Sequence, residues 1–264
     1  RDPEMSRGLG DVYKRQLFGK LFTGGNMQRY FVKNIQEDKV ILGTEDSYHI
    51  KRVMRMKIGD KIEIVYQEKV YLGQIEALDD QVQAKLIEEL ASSKQHIRPI
   101  TLAQALVKEQ KMDYILQKAT ELGVTEIIPF CAERSIVKAD KQDEKRKIRW
   151  EKIVKEASEQ SKRTDLVKIH SILSLRELSQ LDNYDVKIIC SVSEKEKNLK
   201  KLLSNIPNSA TMLFVIGPEG GLSDQEEQTL MDSGFQRVSL GDTVLRTETA
   251  GLFIMSAVRY QDMG

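Results

Sequence analysis

The chain is poor in cysteine and histidine, and this removes whole classes of chemistry. Its 264 residues hold two cysteines, Cys131 and Cys190, far apart and outside any Cys-x-x-Cys pattern, and three scattered histidines, His49, His96 and His170. Neither a disulfide framework nor a zinc site fits that usage, and no metal is expected. A reducing cytoplasm suits it. No uninterrupted apolar run approaches the roughly 20 residues needed to span a bilayer, so no membrane association is expected. An excess of one charge is also missing: 41 Lys and Arg stand against 40 Asp and Glu, for a net charge of +1. Nucleic-acid binding therefore has to be argued from local patches. What is present is 40% hydrophobic and 31% charged residues, enough for one large folded domain or two modest ones.

The first 26 residues are set apart. Asp11-Val12-Tyr13-Lys14-Arg15-Gln16 is what a common transposon sequencing adapter gives when translated in frame. Gly24-Gly25-Asn26, directly before Met27, can be encoded by a purine-rich ribosome-binding sequence. The expectation is that residues 1–26 are a translated artefact and that the protein starts at Met27. The competing reading is a real leader, although a signal peptide's apolar core is missing.

From Arg29 to about Leu90 the hydrophobic pattern has period two. Ile62, Ile64 and Tyr66 alternate with polar neighbours, as do Val82, Ala84 and Leu86, with turn residues Gly59-Asp60 and Asp79-Asp80 between the runs. Half-buried antiparallel strands in a small sheet or barrel are predicted, with a short helix near Tyr48 to Met54. Residues 91–99 read as a linker. Beyond it the period becomes helical: Met112, Ile115, Leu116, Ala119 and Leu122 share a face, and Gly123 sits where a left-handed cap belongs. A second helix is predicted from about Asp143 to Lys162, with Trp150, Ile153, Val154, Ala157 and Ser161 facing the core. Short apolar runs at Ile127–Phe130, Val186–Cys190 and Met212–Ile216 alternate with the helical stretches. Such alternation indicates a parallel sheet covered on both faces. The domains expected are a β-rich one at 27–92 and an α/β one at 98–264.

Two stretches carry chemistry. Gly217-Pro218-Glu219-Gly220-Gly221-Leu222-Ser223 follows an apolar strand directly, and Ser223 and Glu226 have capping-box spacing, so a helix starts at once. The loop thus sits at the carboxyl end of a parallel strand and the positive end of a helix, where α/β proteins bind ligands. Gly-Gly alone is an ordinary turn signal. Here the inserted Pro-Glu makes the loop less generic, and the acidic residue, without a P-loop lysine, argues against a phosphate cradle. The second stretch is Ser239 to Ala250: a strand expected to end at Leu240, a turn at Gly241, and a helix from about Thr247 to Tyr260. Arg246 and Glu248 fit either a surface ion pair or ligand recognition.

Both stretches, Ile216–Ser223 and Leu240–Ala250, resemble the SPOUT methyltransferase family that modifies N3 of a uridine in small-subunit (16S) ribosomal RNA, the RsmE family. The resemblance runs from Met27 to Gly264. Met27 to Val32 is similar to the family's start, and His49, Val53, Arg55 and Gly59-Asp60 resemble its PUA-like N-terminal domain. Gln117 to Val124, Glu133-Arg134-Ser135 and Glu156 to Arg163 match the family's central blocks in order. Val167 departs from the pattern, standing where a proline is expected.

The resemblance implies an α/β fold: a C-terminal SPOUT trefoil-knotted parallel-sheet domain preceded by a small PUA-like β-barrel. It implies S-adenosylmethionine as cofactor, held by Gly217, Glu219, Gly220, Leu240, Gly241, Leu245, Arg246 and Thr249 near a homodimer interface. It implies ribosomal RNA as substrate, within the small subunit, with Arg29, Arg52, Arg55, Lys118, Arg134 and Arg163 as RNA contacts. Arg246 is the candidate for stabilising negative charge on the uracil oxygens, and Glu219 the tentative partner in catalysis. From charge pattern alone, the clusters Lys51, Arg52, Arg55, Lys57 and Lys145, Arg149, Lys152 read as solvated surface. His49 reads as structural and Trp150 as core. Other readings stay open: methylation of another RNA position, a catalytically inactive ribosome assembly factor, or, against the missing phosphate loop, a nucleotide hydrolase.

Overall fold

In a computed structural model of the chain, residues 27–91 and 98–263 are described. The leader or artefact at 1–26 and most of the 91–99 linker lie outside the described residues. The chain divides into two units between Ala91 and Ser92.

The first unit is built from the period-two segments. Strands β1 (Arg29–Phe31), β2 (Lys39–Ile41), β3 (Lys61–Tyr66), β4 (Lys69–Leu78) and β5 (Val82–Leu90) pair in the order β1-β3-β4-β5-β2, antiparallel except for β1 on β3. The sheet curls as a half-barrel. Alternate residues point to one face, so Ile62, Ile64, Val82 and Ala84 come together with Tyr30, Leu42, Ile50 and Ile75 in one buried cluster. The helix expected at 48–54 begins earlier, as α1 (Thr44–Tyr48), and continues as a π-helical turn over His49–Met54. It stops at Arg55, whose left-handed φ of 53° ends the winding. His49 accepts or donates a 3.0 Å hydrogen bond between its Nδ1 and the Tyr30 hydroxyl, a structural role.

The second unit alternates strands and helices: β6 (Ile100–Ala105), α2 (Glu109–Glu121), β7 (Glu126–Cys131), α3 (Asp143–Gln160), β8 (Lys168–Ile169), β9 (Leu173–Ser174), α4 (Leu175–Ser179), β10 (Val186–Cys190), α5 (Leu199–Leu203), β11 (Met212–Ile216), α6 (Asp224–Asp232), β12 (Gln236–Val238) and α7 (Thr247–Asp262). All its pairings are parallel, in the order β12-β10-β11-β6-β7-β8, with β9 on β7 beyond β8. Central strands β6 and β11 are buried along their whole length, β11 as an unbroken apolar run and β6 with Thr101 and Gln104 among its buried residues. Successive residues feed opposite faces: Met212, Phe214 and Ile216 pack with α2, α3 and α7, whereas Leu213 and Val215 pack with α4 and α6. Pro129, which has no N–H to donate, falls between the stretches of β7 that pair with β8 and β9. Val167, the departure from the family pattern, is buried in the larger cluster.

Three boundaries differ from expectation. Helix α3 ends at Gln160 because Lys162 adopts φ 61° and the Arg163 N–H turns back to the Ser158 carbonyl. Its buried face therefore carries Ser158, while Ser161 is the half-buried cap. Strand β12 ends at Val238, before Leu240, because Ser239 pairs instead with the loop at Lys197–Leu199. Helix α7 runs past Tyr260 to Asp262, where Asp262 meets the buried guanidinium of Arg98 at 2.7 Å.

Candidate functional site

Because the sheet is all parallel, every strand delivers its following loop to one edge. Strands β6 and β11 are neighbours, yet the chain leaves β6 towards β7 and is connected from β11 towards β10 and β12. The carboxyl ends of β6 and β11 therefore border a topological switch point, where open α/β sheets leave a crevice. Gln104 and Ile216 lie opposite each other at that edge.

The two glycine stretches meet there. The loop 217–223 leaves β11, and α7 enters at Thr247 directly after the segment 239–246. The Thr247 hydroxyl donates to the Gly217 carbonyl at 2.8 Å, and the Gln104 side-chain amide donates to Thr247 Oγ1 at 3.0 Å. Gln104 is fully buried in β6 and ties three elements together. Gly217 has to be glycine, since a Cβ would sit 2.9 Å from the Leu222 nitrogen. Gly221 (φ 69°) and Gly241 (φ 125°) take left-handed conformations, and a Cβ on either would meet open space. Backbone is thus bare to an incoming ligand at both turns.

Side chains clasp the first loop from outside. From α2, Lys111 Nζ contacts Glu219 at 2.8 Å and Glu248 at 3.6 Å. Hydrogen bonding to Lys111 holds the Glu219 carboxyl below its ordinary value, and the same bond raises Lys111 above its own. From the loop after β7, Arg134 donates to the Gly220 and Leu222 carbonyls at 3.0 and 3.2 Å. The capping box at Ser223 and Glu226 forms as its spacing implied, and Glu226 also accepts from the Glu133 N–H at 2.7 Å.

The second segment is looser. Gly241, Arg246 and Thr249 are exposed, while Leu240 and Leu245 are half-buried against the core. Glu248 pairs with Lys111, so the surface pair Arg246–Glu248 does not form among the described residues. The loop after β10, which sequence reading did not single out, reaches the same edge and is hydrogen-bonded to Ser239 through Lys197 and Leu199. Cys190 ends β10 with its thiol pushed up to about 12 by burial, too high for a thiolate nucleophile at neutral pH. Among the described residues, no group of three or more His, Cys, Asp or Glu side chains could hold a metal ion.

Of the six arginines and lysines expected to meet RNA, three lie in each unit. Arg29 pairs with Glu63 at 2.8 Å and Arg163 is buried against the Thr120 carbonyl and Asp165. Lys118 pairs with Glu121 one turn away. Arg52 and Arg55 are exposed beside the exposed apolar residues Tyr48, Val53 and Ile58. In the other basic cluster, Arg149 pairs with Glu109 and Asp113 of α2, and Trp150 is buried core.

Comparison with known proteins adds a family. A family described as RNA methyltransferase domain matches residues 93–259, and one described as RNA methyltransferase PUA domain matches residues 41–87. The chain is 36% identical over 251 residues to a Bacillus subtilis protein named ribosomal RNA small subunit methyltransferase E, covering 89% of this chain and 97% of the relative. A protein of the same name from Mesomycoplasma hyopneumoniae is 34% identical, covering 87% and 98%. The crystal structure of the Neisseria gonorrhoeae protein of that name, bound to S-adenosyl methionine, matches with a TM-score of 0.80 at 32% identity over 89% of this chain and 98% of that one. A Legionella pneumophila protein in complex with bound cofactor SAM matches with a TM-score of 0.83 at 29% identity over the same shares.

Proposed function

Because this chain belongs to the ribosomal RNA small subunit methyltransferase E family, we propose that it methylates N3 of a uridine in small-subunit (16S) ribosomal RNA, using S-adenosylmethionine. The observation carrying this reading is the join of two glycine turns through Thr247 and Gly217 at the carboxyl edge of a parallel sheet.

The donor set suits the cofactor. Gly241 offers open backbone, Gly217 and Gly220 let the loop fold tightly against Leu222 and Arg134, Leu240 and Leu245 offer apolar walls, and Glu219, Arg246 and Thr249 offer polar contacts. When bound, S-adenosylmethionine supplies an electrophilic sulfonium methyl. Uridine N3 carries a proton at neutral pH, so its attack requires deprotonation and stabilisation of charge spreading onto the uracil oxygens. Arg246, exposed at the entrance of α7, is assigned that stabilisation because its guanidinium stays charged and presents several donors. Lys111 argues against Glu219 as the base for the N3 proton, since a carboxylate held low has less affinity for it, and favours a binding role.

RNA contact is assigned to Arg52 and Arg55, with Tyr48 beside them as a stacking surface. The same reading includes the knotted threading, a homodimer and a cytoplasmic site of action. Exposed Phe253, Tyr260 and Met263 at the C-terminal helix are the apolar surface a second copy would cover. The test is methyl transfer from labelled S-adenosylmethionine to unmodified small ribosomal subunits, followed by nucleoside identification. N3-methyluridine is expected. A 2′-O-methylated nucleoside would redirect the specificity, and subunit binding without transfer would mark an assembly factor.

A further inference from the structure

We infer that Arg134 is a positioning residue for the loop 217–223, and that its guanidinium is not a phosphate contact. The inference rests on the reading that this loop holds S-adenosylmethionine.

One nitrogen, Nη1, bridges two carbonyls two residues apart, those of Gly220 and Leu222. Turning both carbonyls to a single donor fixes the Gly220–Gly221 and Leu222–Ser223 peptide planes, on either side of the Gly221–Leu222 link. The stem does a second job. A Cβ added at Gly220 would meet Arg134 Cβ at 3.3 Å and Cδ at 3.5 Å, so the arginine's methylenes lie flat on that glycine. Gly220 is therefore covered by Arg134 on its Cβ side, while the corresponding side of Gly221 is open.

The platform behind Arg134 is rigid. Lys138 Nζ donates to the Ala132 and Glu133 carbonyls at 2.9 and 2.8 Å, closing the turn in which Arg134 sits. Ser135 Oγ accepts from the Ala132 N–H. Glu226 then joins the turn to the cofactor loop, accepting from the Glu133 N–H with one oxygen and from the Ser223 N–H with the other. Loop 132–138 and loop 217–223 thus form one hydrogen-bonded body, and Arg134 is the side chain reaching the glycines. Nη1 is committed to the loop, and the RNA arm of the test decides whether Nε and Nη2 of this exposed side chain meet phosphate.

The test separates cofactor from RNA. Calorimetric titration of the wild-type protein and Arg134→Ala with S-adenosylmethionine is paired with RNA binding measured across a salt series. The inference expects cofactor affinity to fall about tenfold or more, with RNA affinity and its salt slope unchanged. Unchanged cofactor affinity with a salt slope shallower by about 0.7–0.9 would overturn it and restore the phosphate contact. Should the alanine variant fold poorly, Arg134→Lys carries the same test. A lysine keeps the charge and the methylene stem but not the guanidinium that reaches both carbonyls, so a cofactor-specific loss is again expected, whereas a pure phosphate contact would be largely rescued. A wild-type protein that binds no S-adenosylmethionine refutes the loop reading beneath, and this assignment falls with it.

Discussion

The two glycine segments at the sheet's carboxyl edge are built in opposite ways. Loop 217–223 is clasped by Lys111, Arg134, Glu226 and Thr247, which come from four different elements. Segment 239–246 is anchored at Ser239 by the backbone of Lys197 and Leu199 and by half-buried Leu240 and Leu245, and leaves residues 241–244 and Arg246 exposed. A fixed loop suits a small ligand that is the same in every turnover. An open segment, ending in a charged side chain at a helix entrance, suits a large substrate that must dock and leave. On the function proposed above, the clasped loop would hold only the cofactor, while the open segment would line the cofactor and present Arg246 to the substrate.

The comparison breaks first at Arg246. Arg246→Ala is expected to lower kcat by on the order of 10²–10³, as loss of one charge-stabilising donor does, a loss larger than the weakening of cofactor binding from its missing polar contact. Methyl-transfer rates beside calorimetry check this, and near-normal turnover would remove the assigned role. A smaller effect is expected at Gly241, whose φ of 125° no ordinary side chain adopts without strain. Gly241→Val should weaken cofactor binding by about tenfold. On the clasped side, Lys111→Met and Glu219→Gln should each weaken cofactor binding only a few-fold, because the pair is solvent-exposed. A double-mutant cycle should show them non-additive; additivity would mean that the pair does not act as a unit.

The smallest effect is with pH. Lys111 lowers Glu219 below its ordinary 4.5, so the pair's contribution is complete above that value and is lost as pH falls through the lower folded value. On the lysine side the shift is upward from 10.5, so the contribution holds below 10.5 and is lost as pH rises beyond the raised value. Cofactor affinity should therefore carry no Glu219 limb near neutrality. A limb there that disappears in Glu219→Gln would contradict the ion pair.

Much of this was legible in the sequence, for local reasons. The capping box at Ser223 and Glu226, the glycine after α2 and the apolar runs of β10 and β11 are encoded within a few residues, and they placed the loops on their strands. What was not legible is set by distance along the chain. Lys111 and Glu219 are 108 residues apart, and Gln104 and Thr247 are 143 apart, so no spacing rule joins them. Charge pattern also says nothing about exposure. Arg29 and Arg163 were expected as RNA contacts, yet one is held by Glu63 and the other is buried against a carbonyl and Asp165.

Calorimetry of S-adenosylmethionine binding to the wild-type chain and to Gly217→Ala tests the central claim most directly, because an alanine Cβ there would press to 2.9 Å on the Leu222 nitrogen and force the clasped loop to move. The account predicts saturable binding at one site per chain for the wild type and a loss of about tenfold or more for the variant. No binding by the wild type, or equal binding by both proteins, would contradict it.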